Sequence, residues 1–237
     1  MTGASPFSST SLVSAKAEPD VTLLLELLAS RICHDLVSPV GAINNGLEFI
    51  EDMGSDPETL KQAIDLIGQS TQTAAARLQV FRIIYGAGGR EANLKPEDIQ
   101  KAFGTLLRME GKIRQSWDPY APLGIDIKAK GACKILLGTL VLAQECLPKG
   151  GTIYADAGKN DDLIVTAEGV GAVVREGTLA ALAGAIDAQE LDPRLIHPYV
   201  LGVSARQYGF EITSFDAENT GNNGNSERKA WRIRQTV

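Results

Sequence analysis

From Val21 to Met53, apolar residues recur at alternating steps of four and three: Ala29, Cys33, Leu36, Val40, Ile43, Leu47 and Ile50. This spacing predicts a long helix whose heptad seam packs on other helices. A turn is expected at Gly54-Ser55-Asp56, where Ser55 or Asp56 can cap the next helix, Pro57 suits its first position and Glu58 completes a capping box with Ser55. The second helix repeats the seam through Leu60, Ile64, Ile67, Thr71, Ala74, Leu78, Phe81 and Tyr85, and stops at Gly86-Ala87-Gly88-Gly89. Two such helices make a hairpin that cannot bury both seams alone. A dimer of hairpins is the economical solution, a four-helix bundle in which Leu36, Val40, Ile43 and Leu47 meet Ile64, Ile67, Leu78 and Phe81.

After Gly89 the pattern changes. Helices are expected over 96–109, 133–147, 177–186 and 193–208, and strands over 125–129, 152–157, 163–167, 211–216 and 229–234. The order fits helices on one face of a mixed sheet, an α+β arrangement. Residues 1–19, rich in Ser, Ala, Thr and Pro, read as a disordered tail, and Asn219–Ser226 as a polar loop. The chain thus divides into a tail (1–19), a helical hairpin (20–89) and an α/β sandwich (90–237).

Composition narrows the function classes. A formal net charge of −6 argues against a nucleic-acid partner. The three cysteines, Cys33, Cys133 and Cys146, form no CxxC pair and read as buried free thiols of a reducing cytosol, and two histidines are too few for a His-rich metal site. No segment is long and apolar enough to span a bilayer, and no signal peptide is recognisable, so a cytoplasmic protein without a membrane partner is expected. Trp117 and Trp231 read as core aromatics, and the Lys128-Lys130-Lys134 cluster as a solvated face.

The stretch from His34 to Ile43 carries the chemistry. At about 100° per residue, His34 points roughly 150° from the seam and faces solvent. Ser30, Ser38, Gly41 and Asn45 surround it, small enough to let another protein approach. Gly41 costs a helix roughly 1 kcal/mol relative to Ala. Pro39 removes the hydrogen bond to the Asp35 carbonyl and tends to kink the helix. Helix geometry alone leaves two readings equal: a surface histidine on a kinked helix, or a site. Asp35 is either an acid that orients the ring or a solvated surface charge. Arg31 is either a contact for an acidic partner or a solvated charge.

His34, Asp35, Leu36, Ser38, Pro39, Val40, Ala42 and Ile43 together resemble the H-box of histidine kinase dimerisation domains: His, acid, Leu, Thr/Ser/Asn two places on, Pro, apolar, small, Ile. The resemblance implies that His34 is the phospho-acceptor. The second half resembles the ATP-binding domain of those kinases with its motifs eroded. The helix 136–144 lacks the metal-binding Asn, its candidate places holding Thr139, Leu142 and Ala143. The Asp-x-Gly-x-Gly motif keeps Gly169 and Gly171 but has Ala167 for the Asp, and His197-Pro198-Tyr199 stands where a glycine-rich lid is expected.

An intact H-box joined to a degenerate ATPase-like domain resembles the ChpT family of histidine phosphotransferases. That resemblance implies a homodimer without nucleotide, metal or other cofactor of its own, any Mg²⁺ being held by the partner receiver. It implies transfer from the receiver domain of a hybrid histidine kinase (CckA type) to receivers of response regulators (CtrA and CpdR type) in cell-cycle control. Receivers would contact Arg31, Ser38, Gly41 and Asn45. The alternatives are an ATP-dependent sensor kinase and a non-catalytic dimeric scaffold or inhibitor.

Overall fold

The computed structural model describes residues 20–53, 56–86, 94–216 and 226–236. The expected tail, residues 54–55 of the first turn, the glycines after Gly86 and most of the Asn219–Ser226 loop lie outside them. Helix α1 (Val21–Met53) runs antiparallel to α2 (Pro57–Tyr85). Asp56 caps α2, accepting from the Thr59 hydroxyl at 2.6 Å and its N–H at 2.9 Å, which holds the carboxyl below its ordinary range. No helix among the described residues is long and apolar enough to cross a membrane.

Within the hairpin the line of closest contact is built from small residues. Gly46 and Pro39 of α1 are buried, as are Ala63, Ser70 and Ala76 of α2. A Cβ on Gly46 would lie 2.6 Å from Ile67 Cγ1, so the absent side chain is what lets the helices approach. The expected seam divides. Leu36, Ile43, Ile67 and Phe81 are half-buried, whereas Val40, Leu47, Ile64 and Leu78 remain 49–55% exposed. The wide apolar stripe contains more surface than one partner helix covers.

The remaining elements are α3 (Pro96–Glu110), β1 (Ile113–Gln115), α4 (Ala132–Glu145), β2 (Gly151–Ala157), β3 (Asp162–Gly169), α5 (Thr178–Ala183), α6 (Ile196–Gln207), β4 (Phe210–Asp216) and β5 (Glu227–Gln235). They form a five-stranded sheet in the order β1-β2-β3-β5-β4, parallel only between β1 and β2. Leu163, Val165 and Ala167 of β3 alternate inward and pair with the inward Ile233, Trp231 and Lys229 register of β5, placing Trp231 in the core. The other face carries the ion pairs Arg228–Glu168 (3.0 Å) and Arg232–Asp162 (2.8 Å). This is an α+β fold with one wet sheet face. Helix α4 is buried along nearly its whole length because it is sandwiched between the sheet and the other helices. Val80, Ile83 and Ile84 at the end of α2 enter the same core, and Leu24, Leu27 and Leu28 of α1 pack on a second cluster around Ile196 and Tyr199, so both helices of the hairpin are seated on the sheet layer.

Three expectations need correction, and one strand was not among those expected. Residues 125–129 form turns, not a strand: the Asp126 side chain accepts from the Lys128 N–H at 3.0 Å, and Gly124 and Gly131 turn the chain at positive φ on either side. Strand β1 escaped notice because three residues are too few to show alternation. Lys134 is not on the solvated face; it is buried, and its ammonium donates to the Gly86 carbonyl at 2.9 Å, closing the end of α2. Cys33 is exposed, because the face of α1 that packs inward runs through Ile32, Leu36 and Pro39. Cys133 and Cys146 are buried as expected, and burial pushes their thiols up to about 11 and about 12.

The two hairpin glycines make opposite predictions. Gly41 has open space where a Cβ would stand, so Gly41→Ala should stabilise the chain by up to about 1 kcal/mol. Gly46→Ala should destabilise it by about 1–3 kcal/mol, because Ile67 must move. Urea denaturation of both variants decides; equal stability would contradict the close approach of α1 and α2.

Candidate active site

The site begins with a proline. Pro39 has no N–H, so the Asp35 carbonyl one turn earlier lacks its helical donor. A carbonyl in a half-buried position must find another. It finds the guanidinium of Arg77 from α2, whose Nη1 donates to it. Arg77 also faces Glu110 at the end of α3, at 3.5 Å, and the other oxygen of Glu110 accepts from the Gln144 amide of α4 at 2.5 Å.

His34 sits beside this point with its side chain 86% exposed. Its Nδ1 lies 3.2 Å from Asp35 Oδ1. An ionised carboxylate can only accept, so in this bond Nδ1 carries the proton and the lone pair lies on Nε2. The nitrogen with the free lone pair is therefore the one left to solvent. Asp35 is held in turn: its Oδ2 accepts from Arg31 Nε at 3.0 Å, and Arg31 Nη2 lies 2.6 Å from Glu145 Oε1, on the last residue of α4. Burial works against the Arg31 charge, but Glu145 and Asp35 together outweigh it and raise its pKa, so the cation is secure.

Ser30 and Ser38, one turn to either side of His34, are exposed, as is Asn45 three turns along the same helix, and Gly41 has nothing within 4 Å of its missing Cβ. Arg31 is placed differently. Its side chain is only 20% exposed, and its guanidinium is turned onto Asp35 and Glu145. The residues expected to match nucleotide motifs serve packing and local hydrogen bonding. The Thr139 hydroxyl donates to the Ile135 carbonyl of its own helix at 2.9 Å, and Leu142, Ala143 and Ala167 are buried in the core. Gly169 is demanded by packing, since its Cβ would meet the Gly150 carbonyl at 2.3 Å.

His197 is fully buried. Its Nε2 lies 3.0 Å from the Gly138 carbonyl, which can only accept, so Nε2 carries the proton and Nδ1 accepts from the Tyr85 hydroxyl at 3.0 Å. One neutral imidazole thus ties the end of α2 to α4 and α6. Burial raises the Tyr85 pKa and lowers that of His197.

A family model described as the histidine phosphotransferase C-terminal domain matches residues 96–220. The chain is 34% identical over 191 residues to the protein phosphotransferase ChpT of Brucella abortus (strain 2308), covering 79% of this chain and 87% of that protein. The chain belongs to the ChpT histidine phosphotransferases. A solved bacterial phosphotransferase is similar throughout, with a TM-score of 0.70 and 29% identity, covering 93% of this chain and 100% of the other. As a ChpT-type histidine phosphotransferase, the protein works in a phosphorelay and has receiver domains for partners.

Sequence reasoning alone missed Arg77, Glu110 and Glu145. One signal was present. Pro39 left the Asp35 carbonyl without a donor, and asking where that hydrogen bond goes points to a cation on the facing helix. Nothing local marks Glu145, which meets Arg31 from 114 positions away.

The buried His197 predicts a pH dependence of stability. Its pKa is lowered in the folded state, so below about 6.5 the unfolded chain binds a proton that the folded chain refuses. Above that range the group contributes no slope; below it, stability falls by up to about 1.4 kcal/mol per pH unit. Urea melts between pH 7.5 and 5.5 should show this loss, and His197→Gln, less stable overall, should lack that share of the slope.

Proposed function

We propose that His34 is the phosphoryl carrier of this phosphotransferase. The observation that carries the reading is the exposed ring whose Nδ1 is held by Asp35 and whose Nε2 is left to solvent. The Nε2 lone pair attacks the phosphorus of a receiver's aspartyl phosphate. The bond from phosphorus to the carboxylate oxygen breaks, and the carboxylate leaves with its electron pair. Nδ1 keeps its proton against Asp35, so the phosphoryl imidazole that forms is cationic and the Asp35 carboxylate balances it. The reverse attack by the Asp of a second receiver passes the group on.

The donor in this reading is the receiver of a hybrid histidine kinase of CckA type, and the acceptors are receivers of CtrA and CpdR type in cell-cycle control, all in the cytoplasm. Each receiver brings its own Mg²⁺, so the chain supplies no metal and no nucleotide. Receivers dock over Ser38, Gly41 and Asn45, where small side chains leave room. Val40, Leu47, Ile64 and Leu78, exposed in the single chain, are covered by the same residues of a second hairpin in a homodimeric four-helix bundle. Each such side chain fully buried contributes roughly 1.5–3 kcal/mol. The kinase alternative requires an Asn where Thr139, Leu142 and Ala143 stand, and a pure scaffold has no use for an H-box. Neither has an observation in its favour.

The test is a radiolabel chase into wild type, His34→Ala and His34→Gln, from a phosphorylated hybrid-kinase receiver and, in parallel, from labelled ATP. Label should enter wild type from the receiver alone and neither variant from any source. Removing an exposed side chain of this kind should change stability by no more than about 0.5 kcal/mol, so circular dichroism should be unchanged. Label on the Ala variant would remove His34 as carrier, and label from ATP would revive the kinase.

A further inference from the structure

Asp35 is gripped twice. Its side-chain oxygen Oδ2 is held by Arg31, and its main-chain oxygen by Arg77. Each arginine is tethered to a glutamate from a helix of the sheet layer, Arg31 to Glu145 of α4 at 2.6 Å and Arg77 to Glu110 of α3 at 3.5 Å. Glu145 and Gln144 are neighbours in sequence, and Gln144 holds Glu110, so both tethers meet at the end of α4. All four charged side chains are only partly exposed, between 20% and 30%, which sets these pairs apart from fully solvated surface charges.

We infer that Arg31 and Arg77, anchored by Glu145 and Glu110, are positioning residues for phosphotransfer: they hold Asp35 so that His34 stays in the tautomer with Nε2 free. The inference rests on His34 as carrier for its kinetic consequence, but not for its structural one.

Asp35 has two side-chain oxygens, and Arg31 occupies one, leaving Oδ1 for the His34 Nδ1 proton. Without Arg31 the carboxylate rotates freely and ceases to select a tautomer. Without Arg77 the carbonyl beneath Pro39 is left unpaired and the backbone that carries both His34 and Asp35 loses its register against α2. Neither arginine touches the reacting atoms in this arrangement; both act through Asp35. The same geometry gives the sheet layer a role in the chemistry that needs no nucleotide: it furnishes the two carboxylates that keep the arginines in place. It also changes the expectation for Arg31, which serves the site from beneath instead of meeting the receiver.

The test reads tautomer and turnover separately. The chain has only two histidines, so ¹⁵N-histidine labelling gives a spectrum with two rings, assigned with His34→Ala. Wild-type His34 should show the Nδ1–H tautomer. Arg31→Met, Arg77→Met and Glu145→Ala should each shift it toward the Nε2–H form, while Arg77→Lys, which keeps a donor for the carbonyl, should largely restore the wild-type signal. Transfer from a phosphorylated receiver at saturation should fall about tenfold in the three disruptive variants, the scale of losing a partner that orients a reacting group through another side chain. The receiver concentration at half-maximal rate should stay the same. A His34 tautomer unchanged in these variants would overturn the inference, whatever the rate does. An unchanged tautomer with a raised half-maximal concentration for Arg31→Met would return Arg31 to receiver binding. If a hairpin variant fails to fold by circular dichroism, Glu145→Ala on the other layer decides alone. A tautomer shift in a protein that carries label elsewhere would uphold the clamp and sink the His34 reading.

Discussion

One unpaired carbonyl organises the site. Pro39 denies Asp35 its helical hydrogen bond, and the debt is met from outside the helix by Arg77. That requirement fixes the register of α2 against α1 beside His34. The small residues Gly46, Ala63, Ser70 and Ala76 let the helices come close enough along the same line. With the backbone held there, His34 is almost wholly exposed while its neighbour Asp35 is bonded through both its carboxylate and its carbonyl.

The sheet layer supports the hairpin through its core and through the end of α4. The positions compared with nucleotide motifs are occupied by packing: Thr139 bonds within its own helix, Ala167 lies in the core, and His197 closes the junction of α2, α4 and α6 by donating to Gly138 and accepting from Tyr85. The end of α4 faces the hairpin with Gln144 and Glu145, the groups that hold Glu110 and Arg31. The sheet layer thereby serves as a seat for the hairpin. This accords with a ChpT-type histidine phosphotransferase, which needs a placed imidazole and a partner's phosphoryl group.

Much of this was legible in the sequence, for local reasons. Steps of four and three mark α1 and α2 because helical periodicity is a local property, and Asp56-Pro57 marks the start of α2 through capping chemistry. Strands β2 to β5 were found because alternation survives where one sheet face is wet. The failures are as physical. Residues 125–129 alternate like a strand, but the Asp126 turn and the flanking glycines override the pattern. Lys134 looks solvated in any window of sequence, since the carbonyl it serves belongs to Gly86, 48 positions away. The H-box points to His34, yet of the groups that place its neighbour only Arg31 shares its helix, while Arg77, Glu110 and Glu145 come from three others. Only the missing N–H of Pro39 hinted that such groups must exist.

The central claim is that Asp35 leaves Nε2 of His34 as the nucleophile, and the regiochemistry of the phosphohistidine tests it most directly. After incubation with a phosphorylated receiver, ³¹P and ¹⁵N NMR of the intact protein distinguish phosphorus on Nε2 from phosphorus on Nδ1. A single Nε2-phosphoryl species on His34 is the predicted result. Phosphorus on Nδ1, or on a residue other than His34, would contradict the account.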